Sequence, residues 1–262
     1  MKTSYWKKQK EIPLYPDIVW SRPETKSGAG KLAIIGGNAH AFGSPGIAWN
    51  TANESGVGVV RVLLPDAVKK TVKYVLPDAD YAPSNPSGSF SKKSFGEFLE
   101  IAQWSDATLL AGDFGRNSET AVLLENFVQK YSGLLTVTHD AADYFKATPR
   151  LLITRPNTLL VVSIAQLQKI FINTPVITPI TYSMTELQLA EALHNFSEKY
   201  PVTIVVKHND TVFVAQNGSV VSQDIEDTIW RVKVSSKATV FWLQNPNKVL
   251  ASSISALAKN DN

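Results

Sequence analysis

The residues best suited to chemistry stand just after short apolar runs and beside glycines. Gly36-Gly37-Asn38 follows one such run and leads into Phe42-Gly43-Ser44-Pro45. Glycines permit a tight turn there, and the free N–H groups of a helix starting at that point favour an anion or a polar ligand edge. A second run ends in Gly112-Asp113-Phe114-Gly115-Arg116, where a carboxylate and a guanidinium either hold a ligand hydroxyl and a phosphate or pair with each other. A third ends in Thr138-His139-Asp140, a cluster with acid–base capacity that also reads as a loop hydrogen-bonding pair. A fourth ends in Lys207-His208-Asn209-Asp210-Thr211, where a lysine could meet phosphate, or where a polar turn simply carries two cations. The plainer reading of the glycine junctions is an ordinary strand-to-helix turn.

Other chemistries are disfavoured. The 262 residues include no cysteine, so disulfides, thiolate metal sites and a cysteine nucleophile are excluded. His40, His139, His194 and His208 lack metal-ligand spacing, so no metal site is expected. Neither a Walker A sequence nor a G-x-S-x-G elbow occurs. A content of 44% apolar and 19% charged residues indicates a folded globular chain rather than a disordered one. No stretch of about 20 apolar residues is present to span a membrane. No apolar segment follows Lys7, Lys8 and Lys10, so a cytoplasmic setting without membrane association is expected. The net charge of +3 is spread over scattered residues, which gives no reason to expect a nucleic-acid partner. Trp230 and Trp242 read as flanking a late strand region, buried or stacked on a base.

Placing the motifs requires a parallel sheet. Runs at Leu32–Ile35, Val59–Leu64, Thr108–Ala111, Leu134–Val137, Leu151–Ile153 and Thr203–Val206 read as buried strands. Helical patterns alternate with them at Ile47–Glu54, Ala67–Val75, Phe95–Trp104, Glu119–Tyr131 and Thr185–Tyr200. The last has capping-box spacing at Ser183 and Glu186 and stops at Pro201. Thr211–Ala215 and Ser219–Val221, around Gln216-Asn217-Gly218, read as a hairpin that adds an antiparallel edge near the C-terminus. A closing helix is expected from Pro246 to about Ala258, with Asn245 as its cap. Pro77–Lys93, rich in Pro, Ser and Gly, reads as a long surface loop. The expected architecture is an α/β three-layer sandwich, with a mostly parallel central sheet flanked by helices.

In order, Gly36-Gly37-Asn38 with Gly43-Ser44-Pro45, Gly56-Val57-Gly58-Val59-Val60, Ala111 to Arg116, and Val206-Lys207 with Thr211-Val212 resemble the ADP-dependent NAD(P)H-hydrate dehydratases of the ribokinase-like superfamily. The resemblance spans about Lys26 to Ala258, which implies a single ribokinase-like domain over residues 26–262 behind an N-terminal extension of residues 1–25. It implies ADP or ATP as nucleotide, with Mg2+, the hydrated form of NADH or NADPH as substrate, and assembly as a homo-oligomer. Carried onto this sequence, the substrate positions are Gly37, Asn38, Ser44, Asp113 and Asp140, and the nucleotide positions are Lys207, His208, Asn209, Asp210, Thr211 and Asn247.

Several family positions have changed. The family's Gly-Ala-Pro is Gly43-Ser44-Pro45, and Asp113 replaces the middle glycine of Gly-Pro-Gly-Leu-Gly-Arg. Asp-Ala-Asp is Thr138-His139-Asp140, Thr-Pro-His-x-x-Glu has its nearest counterpart in Thr154-Arg155-Pro156, and Lys-Gly-Ala is Lys207-His208-Asn209. The Gly-x-Gly-Asp motif, whose aspartate serves as base, falls on Asn245-Pro246-Asn247-Lys248, putting Lys248 at the base position. A lysine accepts no proton at neutral pH without deep desolvation. The expectation is therefore a degenerate dehydratase-like protein, impaired in catalysis and kept for nucleotide binding or assembly, alone or beside an active paralogue. The alternative is an active lyase of nicotinamide-nucleotide repair, and a small-molecule kinase meets the same objection at the last helix.

Overall fold

A computed structural model describes residues 4–76, 78–175, 178–225, 228 and 230–258. The elements in chain order begin with β1 (Trp6–Lys8), α1 (Pro16–Trp20), β2 (Lys31–Gly36), α2 (Gly43–Glu54), β3 (Val59–Pro65), α3 (Lys69–Val72) and β4 (Asp80–Ala82). Next come α4 (Phe95–Trp104), β5 (Ala107–Gly112), α5 (Ser118–Lys130), β6 (Leu134–Thr138), α6 (Arg150–Ile153), β7 (Thr158–Ser163) and α7 (Ile164–Ile172). The chain continues through α8 (Glu186–Lys199), β8 (Thr203–His208), β9 (Thr211–Gln216), β10 (Ser219–Asp224), α9 (Arg231–Gln244) and α10 (Val249–Ser255).

The strands form one ten-stranded sheet in the order β1-β10-β9-β8-β7-β6-β5-β2-β3-β4. Pairing is parallel from β4 across to β8, while β9 runs against both β8 and β10. The expected antiparallel edge is therefore present, and β1 extends it by pairing in parallel with β10. Part of the N-terminal segment thus belongs to the sheet, and α1 packs on α10.

Alternate residues of the strands feed two apolar cores. One face packs Ala33, Leu110, Val137 and Val206 against Phe127, Leu167 and Phe196 of α5, α7 and α8. The other packs Leu32, Leu109, Val161 and Val205 against Ala48 of α2, Phe241 and Trp242 of α9, and Ile254 of α10. The result is the three-layer α/β sandwich expected from the alternation of runs.

Four local expectations need correction. Leu151–Ile153 is not a strand: it lies in the single turn α6, and the strand is β7, farther along. The residues between Trp230 and Trp242 are helical, in α9. The capping box of α8 is Thr185 with Gln188, not Ser183 with Glu186. The last helix starts after Lys248, which occupies the N-cap position expected for Asn245.

The stretch read as a surface loop is packed as well, although Pro77 lies outside the described residues. Phe90 is fully buried in the first core, and the Ala39 N–H donates to the Gly88 carbonyl at 2.9 Å. A Cβ on Gly88 would come within 2.2 Å of the Ala39 methyl carbon, so only glycine allows this approach. The loop therefore walls one side of the carboxyl ends of β2 and β5.

Candidate functional site at the carboxyl edge of the sheet

In open parallel sheets ligands bind beyond the carboxyl ends of the strands. Here β2, β5 and β6 bring Asn38, Ser44, Asp113, His139 and Asp140 to one place. The turn after β2 is drawn in by a Gly37 N–H donating to the Gly112 carbonyl at 2.9 Å. The Asn38 side-chain amide donates to the Asp113 carbonyl at 2.6 Å. The Ser44 N–H, in the first turn of α2, donates to Asp113 Oδ2 at 2.7 Å. Asp113 is thus the anion at the amino end of that helix, instead of a partner for Arg116.

The neighbouring strand end is equally tight. A Cβ on Gly112, whose φ is +109°, would meet His139 Cβ at 2.6 Å. Asp113 and His139 themselves have φ of +61° and +55°, a left-handed region costly for residues with side chains. His139 Nδ1 lies 3.9 Å from Asp113 Oδ1 and 3.6 Å from Asp140 Oδ1. The Gly115 N–H donates to Asp140 Oδ2 at 3.2 Å, leaving Asp140 Oδ1 and His139 Nδ1 buried without a hydrogen-bond partner. Tyr144 Oη donates to the Gly115 carbonyl at 2.7 Å and fixes the loop, and its burial raises the phenol pKa.

The ends of β7 and α9 are joined through Gln166, which the sequence reading did not single out. Ser163 and Gln166 form the capping box of α7. Gln166 Nε2 donates to the His139 carbonyl at 2.7 Å and to Asp143 at 3.0 Å, and Gln166 Oε1 accepts from Arg231 at 3.1 Å. Burial lowers the pKa of the Arg231 guanidinium, against the opposing pull of Asp143 and Asp140. The Ser-x-x-Gln spacing after an apolar run is a readable capping-box signal, but placing the strand at Leu151–Ile153 hides it. Thr154-Arg155-Pro156 precedes β7, so it stands at the amino edge, and the segment that follows the strand is Ser163 to Gln166.

The β8–β9 hairpin places Lys207 to Thr211 at the carboxyl edge, where the side chains of His208 and Thr211 are already engaged. His208 is buried, with Nε2 against the Met184 carbonyl at 2.8 Å. Asn209 takes the left-handed turn position, and the Asp210 carbonyl accepts from the Ile225 N–H at 2.7 Å. Thr211 Oγ1 lies 2.7 Å from Glu186 and 2.6 Å from Asp224, and Lys8 closes this pair of carboxylates at 3.5 and 3.0 Å. The Thr211 hydroxyl and the Lys8 ammonium hold down the Asp224 carboxyl pKa, against the raising effect of burial.

Asn247 and Lys248 do not join this edge. They line or adjoin a cavity of about 200 Å³ whose wall includes Asn157, Thr203 and Gln216, residues at the amino ends of β7 and β8 and at the end of the reversed strand β9. Lys248 pairs there with Asp17 of α1. The helix that starts at the carboxyl edge after the hairpin is α9, and its first turn has no carboxylate. No glycine stands in that turn either, which begins Arg231-Val232-Lys233. Among the described residues no group of three or more His, Asp or Glu side chains is arranged to hold a metal, and no helix is long and apolar enough to cross a membrane.

This sheet order, with its ligand-type junctions on one edge, defines a ribokinase-like α/β protein. Its fold matches a ribokinase-like superfamily protein from Enterococcus faecalis, with a TM-score of 0.73 and 15% identity over 97% of this chain and 86% of that one. It also matches the ADP/ATP-dependent NAD(P)H-hydrate dehydratase of Bacillus subtilis, crystallised with ATP and Mg2+, at a TM-score of 0.65 and 14% identity over 95% and 87% of the two chains. The chain belongs to the NAD(P)H-hydrate dehydratase family, whose sequence profile matches residues 32–232. It is similar to the bifunctional NAD(P)H-hydrate repair enzyme Nnr of Dictyoglomus turgidum, 26% identical over 54% of this chain and 27% of that protein. The same-named enzyme of Methanothermobacter thermautotrophicus is 31% identical over 38% of this chain and 19% of its own length. The matched region therefore spans about a quarter or less of those curated relatives.

Proposed function

We propose that this chain is a dehydratase-like protein impaired in NAD(P)H-hydrate dehydration and kept for assembly or nucleotide binding. The observation that carries the reading is the start of α9. A base on the substrate hydroxyl needs an acceptor at the carboxyl edge, and among the described residues the first turn of α9 presents Arg231 and Lys233 with no carboxylate. Glycine N–H groups that would surround a phosphate are missing from the same turn. ADP or ATP remains the class of nucleotide to test, with Mg2+ carried by the nucleotide's own phosphates, since no described cluster is shaped for the ion. Engagement of His208 and Thr211 within the fold supports assembly over nucleotide binding. The proposal includes a cytoplasmic setting and a homo-oligomer, or a complex with an active paralogue.

The test is incubation of purified protein with hydrated NADH and ADP or ATP while NADH absorbance is followed. No regeneration above the protein-free rate is expected; steady turnover would establish the active alternative. Light scattering on a sizing column checks assembly, and a monomer at micromolar concentration would remove the homo-oligomer.

A further inference from the structure

A side chain of the protein itself already fills the anion position at the start of α2. Asp113 Oδ2 accepts the Ser44 N–H at 2.7 Å, and its carboxylate is 13% exposed. Asn38 holds the same residue from the other side through the Asp113 carbonyl, at 2.6 Å. We infer that Asp113 is an autoinhibitory contact in cis, an internal anion that closes this part of the carboxyl edge to phosphorylated ligands. The inference deepens the proposed impairment and rests on it.

Three features support closure over a purely structural use. The Asp113 backbone sits at φ +61°, so the carboxylate is delivered at a cost in strain that glycine would not bear. Ideal Cβ atoms on Gly43 and Gly46, in the same turn of α2, meet no atom within 4 Å, so the helix start borders open space. The remaining oxygen, Asp113 Oδ1, lies 3.9 Å from His139 Nδ1, and Asp140 Oδ1 lies 3.6 Å from the same nitrogen. Removing the Asp113 side chain leaves the Ser44 N–H without its anion, and a phosphate oxygen answers it.

The experiment is a calorimetric titration of inorganic pyrophosphate into the full chain and into Asp113→Gly and Asp113→Asn. Wild type is expected to bind weakly or not at all, and Asp113→Gly about tenfold more tightly or better. Asp113→Asn keeps an oxygen for the Ser44 N–H and should stay as closed as wild type. A folded glycine variant that binds no better than wild type overturns the inference, as does equal binding by all three. If the glycine variant does not fold, the Ser44 amide resonance of wild type decides: it should stay fixed as pyrophosphate is added, and displacement overturns closure. These readouts involve no turnover. Regeneration of NADH by wild type would defeat the proposed impairment, whereas a pyrophosphate result against closure would leave it standing.

Discussion

At the amino edge of the sheet, Arg155 donates to the carbonyls of Tyr131 at 2.7 Å, Gly133 at 2.6 Å and Asn157 at 2.9 Å, and to Thr158 Oγ1 at 3.0 Å. At the carboxyl edge, Asp113 and His139 hold left-handed backbone, and two buried polar atoms of His139 and Asp140 lack partners. The amino edge satisfies its main-chain carbonyls with one planar, multidentate cation stacked 5.4 Å from the Tyr131 ring. The carboxyl edge instead spends stability on strained turns and crowded carboxylates, the pattern expected where a fold presents groups to a ligand. In this chain the presented groups meet each other. At the edge where parallel sheets take their ligands, Asp113 here accepts from the start of α2 instead.

The largest effect should therefore come from breaking the amino edge. Arg155→Met preserves the aliphatic stem but removes every guanidinium donor, while the Asn157 carbonyl keeps the Leu135 N–H at 2.9 Å. Burial already lowers the Arg155 pKa to about 10, so the guanidinium bears a desolvation cost that only its hydrogen bonds offset. A loss of about 2–4 kcal/mol is expected from urea unfolding, given the carbonyls left unmet. At the carboxyl edge, Gln166→Leu should cost less, about 1–3 kcal/mol, by freeing the His139 carbonyl, Asp143 and Arg231 together. A larger loss at Gln166 than at Arg155 would reverse the comparison.

Between the edges lies α9, and Lys237 in its middle allows a test by pH. Burial, reinforced by Arg22 nearby, lowers its pKa from 10.5 to about 8. Below pH 8 the amine is charged in the folded and unfolded states alike, and the fold bears the full cost of burying that charge. Between about 8 and 10.5 the unfolded chain holds more protons, so stability rises with pH across that window and levels off above it. Lys237→Met should flatten this slope in melts recorded from neutral pH to pH 10. An unchanged slope would show that another group carries it.

The sequence exposed the carboxyl-edge turns more clearly than the helix that completes them. Gly36-Gly37-Asn38, Gly112 to Arg116 and Thr138 to Asp140 are contiguous motifs at strand ends, so their types and order were enough to bring Asn38, Ser44, Asp113 and Asp140 together. The seating of Asp113 on Ser44 was not readable, because it depends on a contact between residues far apart in the chain. α9 was misread because nearly all of it is buried, including Ser235, Ser236 and Thr239, so no polar face gave it a helical period. Its Val and Thr content also suits a strand. Ser236 Oγ instead donates to the Ala48 carbonyl at 2.6 Å, and Thr239 Oγ1 to Thr136 Oγ1 at 2.7 Å, contacts that exist only once the helix lies across α2 and β6. Without α9 as a helix, the sequence alone puts the helix-start motif at Asn245–Lys248, the next helix start in the chain.

That displacement sets the smallest expected effect. If Lys248 stood at the position of a lost base, Lys248→Asp would restore part of the turnover. The structure puts Lys248 at the amino edge, where it pairs with the exposed Asp17 and caps a helix of seven residues whose start faces away from the ligand-type turns. An aspartate there removes one surface ion pair, a contact of small weight, and brings no carboxylate near Asn38, Asp113 or Asp140. The variant should melt close to wild type and remain silent with hydrated NADH and ADP or ATP. Turnover gained by this single change would place the chemistry at the amino edge and break the contrast between the two ends of the sheet. Silence, paired with pyrophosphate binding by Asp113→Gly, would locate the altered chemistry where β2, β5 and α2 converge.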